Sequence, residues 1–263
     1  MSGGSRGIGL AIALRAARDG AKVAIIAKTE DPHPRLEGTI HSAAEEVRAA
    51  GGQALPIAGD VRDDERVVAA VQQVVDQFGG IDVCINNASA IDLSPVESIV
   101  MKRYDLMQDI NTRGTFVLTK ACLPHLKLAA NPHVLTLSPP LNLSPAWLGK
   151  SLGYSIAKYG MSLCTLGFAE EFKEYGIAAN SLWPRTMIAT VAVRNLLGGD
   201  DAMRRSRDPR IVADAAHAII TRRSRECTGR FLIDDEVLAE EGISDLSIYG
   251  GVDGELQTDI FLD

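Results

Sequence analysis

Ser2-Gly3-Gly4-Ser5-Arg6-Gly7-Ile8-Gly9 spaces its glycines as G-x-x-x-G-x-G, directly ahead of a helix-period run from Ile8 to Asp19 that stops at Gly20. Gly3 and Gly7 allow a tight turn with close backbone approach, and Gly9 lets the following helix pack near a sheet. The start of that helix offers unpaired N–H groups and a positive dipole end, which suits a pyrophosphate. On spacing alone, a glycine loop that only caps a helix is the competing reading.

Outward from this turn, apolar β-branched runs alternate with helical patterns, as in a parallel sheet covered by helices. Strands are expected at Lys22–Ala27, Ala54–Gly59, Ile81–Asn86, His133–Ser138, Ile177–Trp183 and Arg230–Asp234. Helices are expected at Ile40–Ala50, Asp63–Phe78, Lys102–Leu126, Leu152–Glu174 and Pro209–Thr221, with Thr186–Arg207 unassigned. The fold class is α/β, a Rossmann-like doubly wound parallel sheet in a single domain over residues 1–263. A phosphate-binding turn normally follows a central strand. Here it begins at Gly3, so the first strand is expected to be missing and the sheet divided; a start placed about ten residues late or a truncated sequence is the expected reason, and a true variant that fills the gap differently is the alternative.

The 263 residues suit one large domain, and the formal net charge of -7 argues against a nucleic-acid surface. Cys84, Cys122, Cys164 and Cys227 form no C-x-x-C pair, and the five histidines show no ligand spacing, so no metal is expected. No apolar run reaches the ~20 residues of a membrane span, and the N-terminus has no signal-peptide core. The expectation is a cytoplasmic protein without membrane partners.

At the end of the second expected strand, a site preferring NAD usually carries an acid for the ribose hydroxyls. This chain has Ala27-Lys28 there, and Arg6 stands in the turn. Two cations facing a 2′-phosphate favour NADP, with NAD the alternative. Farther on, Tyr154 and Lys158 stand at i and i+4, one turn apart on one helix face. A phenol with a pKa near ~10 is a poor base at neutral pH. An ammonium beside it favours the phenolate, which can take a proton from an alcohol.

The glycine turn, Asp60-Val61, Asn86-Asn87-Ala88-Ser89, Asn111, Ser138 and Tyr154/Lys158 occur in one order at consistent spacing. With these, the chain resembles the short-chain dehydrogenase/reductase family from Ser2 to about Asp234. A narrower group within it shares Ala27-Lys28-Thr29, Pro32-His33-Pro34, Asn111-Thr112-Arg113-Gly114, Ser138 to Leu143 and Trp183-Pro184. The resemblance implies catalytic roles for Tyr154, Lys158, Asn111 and Ser138. It implies cofactor contacts from Gly3, Ser5, Arg6, Gly7, Ile8, Gly9, Lys28, Asp60, Val61, Asn87, Ala88, Pro184 and Thr186, besides Tyr154 and Lys158. In this pattern Asp60 holds the adenine amino group, Asn86 and Ala88 line the ribose, and Asn111 holds a water in a proton relay through Lys158.

Two positions depart from the family pattern. Arg185 stands where the family has Gly. Pro139 stands where the substrate-polarising serine belongs, and proline donates no hydrogen bond. Ser138 lies sixteen residues before Tyr154 instead of about 13, with Asn142 and Ser144 as other candidate donors.

The expected activity is hydride transfer between nicotinamide and an apolar alcohol, aldehyde or ketone. A cofactor-binding member with little catalysis and an enoyl reductase of the same fold are the rivals. Ala90–Ile99, Leu141–Leu152 and Thr186–Leu197 are the expected substrate walls. Apolar residues on several faces of the helices at 102–126 and 152–174, such as Leu118, Ala121, Leu163 and Leu166, predict a homodimer or homotetramer.

Overall fold

The computed structural model describes residues 1–32, 37–196, 198–251 and 255–263. The chain runs α1 (Gly7–Ala17), β1 (Lys22–Ala27), α2 (Ile40–Ala49), β2 (Gln53–Ala58), α3 (Asp64–Phe78), β3 (Val83–Asn86), α4 (Met101–Met107) and a π-helical segment, Gln108–Arg113, leading directly into α5 (Gly114–Leu126). Then follow β4 (His133–Thr136), α6 (Pro145–Leu148), α7 (Leu152–Glu171), β5 (Ala178–Trp183), α8 (Val191–Leu196), α9 (Gly199–Arg204), α10 (Arg210–Thr221), β6 (Phe231–Ile233) and α11 (Asp234–Glu240). The strands form a two-stranded sheet, β1-β2, and a four-stranded sheet, β3-β4-β5-β6. The α/β class and the division of the sheet both match the expectation.

The chain divides into two compact units. The first comprises Met1–Ala58, Leu182–Arg222 and Leu232–Asp263. In it β1 and β2 run parallel in the register Lys22↔Gln53 to Ala27↔Ala58. Only a vestige of a preceding strand borders β1: Met1 O accepts from Ile26 N at 3.0 Å, and Gly3 N donates to Ile26 O at 2.9 Å. Ala13 and Ala17 of α1, Val23 and Ile25 of β1, and Ile40, Ala43 and Val47 of α2 make one buried cluster. The small residues on α1 let that helix lie close to the strands. Helix α2 starts with a full capping box, Thr39 and Ser42 each bonding the other's backbone N–H.

The second unit comprises Gly59–Ser181 and Arg223–Phe231. Here β3, β4 and β5 are parallel, with Val83↔His133 and His133↔Ala178 opening the two registers. Every residue of β4 and β5 is buried, as in strands covered on both faces, and their polar members His133, Thr136, Asn180 and Ser181 are buried with the apolar ones. Helices α3 and α5 pack together, and α7 lies against both β4 and the π segment.

The expected single helix over 102–126 is interrupted by that π segment. Its hydrophobic period gave no sign of an inserted residue, because the break is fixed by polar contacts of Asn111 and Thr112. Helices α8 and α9 resolve part of the unassigned stretch. Helix α11 was not expected; three acidic residues in its first turn, Asp234, Asp235 and Glu236, favour a helix start there.

Candidate active site

The predicted site residues fall into two sets, one in each unit. In the first unit the turn has Gly3 at φ 68 and Gly7 at φ 56, the left-handed region that glycine tolerates. Arg6 is the N-cap of α1, and its side chain makes no capping bond, so the first-turn N–H groups face outward from a helix end. Ser5 and Gly9 are buried, and Ile8 is half-buried.

Arg6 is engaged by the neighbouring loop. Its Nε donates to Glu37 O at 2.8 Å and its terminal nitrogen to Gly38 O at 2.6 Å, and burial draws its pKa down. The guanidinium therefore ties the 37–38 loop onto the glycine turn. Gly38 permits this at φ 84; a Cβ there would sit 2.5 Å from Ser5 O. Lys28 is the exposed cation at the end of β1.

A cavity of about 430 Å³ borders this turn, lined by Ser5, Arg6, Gly7, Gly38, Thr190 and Val191 among others. Thr190 lies so close that a Cβ on Gly7 would meet its methyl group at 3.3 Å. The Thr190 hydroxyl also accepts from Val193 N at the start of α8. Pro184 and Thr186 follow β5, and the buried Thr186 hydroxyl has no hydrogen-bond partner among the described residues. A buried polar atom without a partner is costly unless a ligand or water completes it. Arg185 at the family's glycine position is accommodated: its N–H donates to Asp234 Oδ1 at 2.8 Å, and its guanidinium pairs with Asp235 and Glu236. Burial pushes Asp234 up to about 7, against the pull of backbone N–H groups of Arg185 and Asp235.

In the second unit Tyr154 and Lys158 are both buried on α7, at 5 % and 3 % exposure. Lys158 Nζ donates to Leu137 O at 2.8 Å and lies 3.7 Å from Met161 Sδ. Asn111 is fully buried in the π segment and clamps Ala90 twice: its Oδ1 accepts from Ala90 N at 2.7 Å and its Nδ2 donates to Ala90 O at 3.0 Å. The π segment docks on α7 through Thr112, whose hydroxyl donates to Ala157 O at 3.0 Å. Gly160 makes room for it, since a Cβ there would come within 2.3 Å of the Thr112 hydroxyl. These contacts fix the height of Asn111 beside the Tyr154–Lys158 turn.

Ser138, the candidate for polarising the substrate oxygen, lies just beyond β4. It is fully buried, with Oγ 2.8 Å from Ser181 Oγ, which in turn donates to Thr165 Oγ1 at 2.8 Å. Pro139 O accepts from Ser162 Oγ at 2.6 Å. Asn142 Oδ1 accepts from Ser144 N, and Tyr159 OH donates to Asn142 O. Asp60 is held by Arg62 in a bidentate pair whose shortest contact is 2.6 Å. Val61 is buried, and Gly114 leaves space for its side chain. Asn87 and Ala88 are half-buried beyond β3, whereas the Asn86 amide turns inward to Thr119 Oγ1 at 2.9 Å.

The walls expected for a substrate are mixed. Leu143 is 72 % exposed and Trp147 is half-buried, but Met187 and Val193 pack with Ala202 in the interior of the first unit. Ile188 is also buried, and Leu197 lies outside the described residues, as do His33 and Pro34. Among the described residues, no group of three or more His, Cys, Asp or Glu could hold a metal, and no helix is long and apolar enough to cross a membrane.

A parallel α/β fold, a glycine turn at a helix start and a buried Tyr-x-x-x-Lys turn with an asparagine clamp define a class, the Rossmann-like oxidoreductases. The chain belongs to the short-chain dehydrogenase family, whose model matches residues 1–198. It is 53 % identical over 264 residues to hydroxysteroid dehydrogenase-like protein 2 of Xenopus laevis, covering all of this chain and 63 % of that protein. A short chain dehydrogenase of Mycobacterium thermoresistibile matches with TM-score 0.94 and 57 % identity, over 100 % of this chain and 93 % of the other. Carveol dehydrogenase of Mycobacterium avium, solved in complex with NAD, matches with TM-score 0.76 and 25 % identity, over 89 % and 94 %.

Several residues that shape the site were not singled out from sequence. Gly38, Thr190, Thr112 and Asp234 act through close packing or backbone bonds. Gly38 alone carried a local signal, as a glycine closing a Pro-containing loop.

Proposed function

We propose that the chain is an oxidoreductase that prefers NADP over NAD and interconverts apolar alcohols with the matching aldehydes or ketones. The observation that carries this reading is the burial of Tyr154 and Lys158 on one turn of α7, with Lys158 Nζ fixed on Leu137 O. When bound, the nicotinamide gives or takes the hydride. Tyr154 moves the proton of the substrate oxygen, and the Lys158 ammonium favours its phenolate form. Asn111 holds the Ala90 backbone, which orders the chain after Asn87-Ala88. The uncapped start of α1 and the unpartnered Thr186 hydroxyl suit a dinucleotide. The family match runs through residues of both units, which supports reading 1–263 as one domain.

A second reading, a member that binds cofactor with little turnover, is favoured by Pro139 and by the Ser138 hydroxyl bound to Ser181. A turnover screen separates the two. Medium-chain, isoprenoid and steroid-like alcohols and carbonyls are assayed with both cofactors. Turnover should rise with alkyl length; better use of polyols or keto acids rejects the substrate class, and absence of all turnover favours the second reading.

Lys28→Ala should weaken NADPH binding about tenfold, roughly 1.4 kcal/mol, and leave NADH unchanged. A wild-type preference for NADH rejects the role given to Lys28.

A homo-oligomer is the assembly proposed. Phe116 on α5 and Ile156, Leu163 and Leu166 on α7 are exposed, while Leu118 is buried and Ala121 is half-buried. Light scattering at micromolar concentration should give a dimer or tetramer, and Leu163→Glu should shift it toward monomer. A wild-type monomer rejects the proposal.

A further inference from the structure

Residues Gln257–Phe261 lie along the segment that follows β5 and are bonded to it repeatedly. Met187 N donates to Gln257 O at 2.9 Å, Asp259 N donates to Arg185 O at 3.0 Å, and Thr186 pairs with Thr258 in an antiparallel bridge. Trp183 Nε1 donates to Ile260 O at 3.0 Å, and its ring meets that of Phe261 at 6.2 Å between centroids. Gln257 N also donates to Arg205 O, while Arg207 N and O bond Met187 O and Ala189 N. The 185–189 backbone is thus held between two extended neighbours, and Asp234 fixes it at Arg185 N.

One detail indicates that this arrangement is maintained against local preference. Phe261 sits at φ 72, the one non-glycine residue with positive φ among the described residues, and it is 2 % exposed. A bulky residue keeps that conformation only where its surroundings over-determine it. The ring packed against Trp183 does so here. A segment serving only to close off the fold needs no such strain at the residue facing Trp183.

We propose that Gln257–Phe261 is a positioning strap for the nicotinamide half of the cofactor, acting through Trp183 and Phe261 on the Pro184–Thr186 backbone. The inference rests on the proposed function, with Pro184 and Thr186, cofactor contacts that the family resemblance implies, taken on the nicotinamide side. Asn111, Tyr154 and Lys158 are not part of it. The strap sets where the backbone groups of residues 184–186, and the unpartnered Thr186 hydroxyl, are presented. The glycine turn and Lys28, which serve the adenosine half, are held by α1, β1 and the Arg6 bonds instead.

The test compares two ligands: the reduced cofactor, NADPH or NADH, that binds wild type more tightly, and the same dinucleotide lacking its nicotinamide. Phe261→Ala removes the ring, and Trp183→Phe removes the donor to Ile260 O and trims the indole to a smaller ring, keeping an aromatic ring against Phe261. Affinities are read by calorimetry, with circular dichroism and thermal melting as the check on folding. The expected result is a loss of about tenfold for the complete cofactor, with the nicotinamide-free ligand unchanged, in both variants or in Trp183→Phe alone if Phe261→Ala unfolds. Equal losses for both ligands, or no loss in folded variants, overturn the strap. If wild type itself binds the two ligands equally, the nicotinamide reading of 184–186 fails before any variant is considered.

Discussion

Tyr154→Phe is expected to lower kcat about 10²- to 10⁴-fold while cofactor affinity stays within about twofold of wild type. The ring is buried on α7, and phenylalanine fills the same space, so the fold has no reason to change. What disappears is the only atom of that side chain able to exchange a proton with the substrate oxygen. Stopped-flow hydride transfer with a substrate from the screen, together with cofactor titration, measures both quantities. Turnover surviving within tenfold would move the acid–base role elsewhere. Ser138→Ala makes an informative comparison. Its hydroxyl belongs to the chain Ser138–Ser181–Thr165, so its loss is expected to cost about 1 kcal/mol of stability and little turnover. A loss of turnover as large as that of Tyr154→Phe would mean that the hydroxyl leaves this network to reach substrate.

The parts of the fold legible in the sequence were those written as local patterns. Lys22–Ala27 reads as a strand because five apolar residues follow one lysine, and Asp63 with Phe78-Gly79 brackets α3 by a cap and a left-handed glycine. The division of the sheet into two and four strands followed from where the glycine turn stands. What stayed hidden depends on partners distant in sequence. The π segment exists because Asn111 and Thr112 bond Ala90 and Ala157, 21 and 45 residues away. The bonds of Arg6 stayed hidden for the same reason: nothing in Arg6 itself announces that it will donate to the Glu37 and Gly38 carbonyls. Met187 and Val193 read as a substrate wall from their apolarity, which a small interior cluster satisfies equally well. The candidate catalytic residues were legible as types and spacings. Their burial and hydrogen-bond partners were not.

Lys158→Ala is expected to damage turnover, cofactor binding and stability together. The ammonium is 3 % exposed and donates to Leu137 O just beyond β4, so its removal leaves a buried carbonyl without that donor. Losing one partner of a buried hydrogen bond costs about 1–3 kcal/mol, and the vacated space beside Met161 adds to it. For a chain of this size the melting temperature should fall by several degrees, on the order of 2–4 °C per kcal/mol. Without a positive charge one turn from Tyr154, the phenolate is no longer favoured, and kcat should fall at least as far as in Tyr154→Phe. Cofactor affinity should drop about tenfold, in contrast to Tyr154→Phe, because the family resemblance also gives Lys158 a contact with the nicotinamide ribose. Lys158→Met separates the contributions: it restores the apolar stem and most of the packing, recovering melting temperature but neither turnover nor affinity. Lys158→Arg should recover little, since a planar guanidinium is wider than the ammonium seated against Leu137 O. A folded Lys158→Met protein with wild-type turnover would reject the electrostatic role of the ammonium, and one with wild-type cofactor affinity would reject its contact with the ribose.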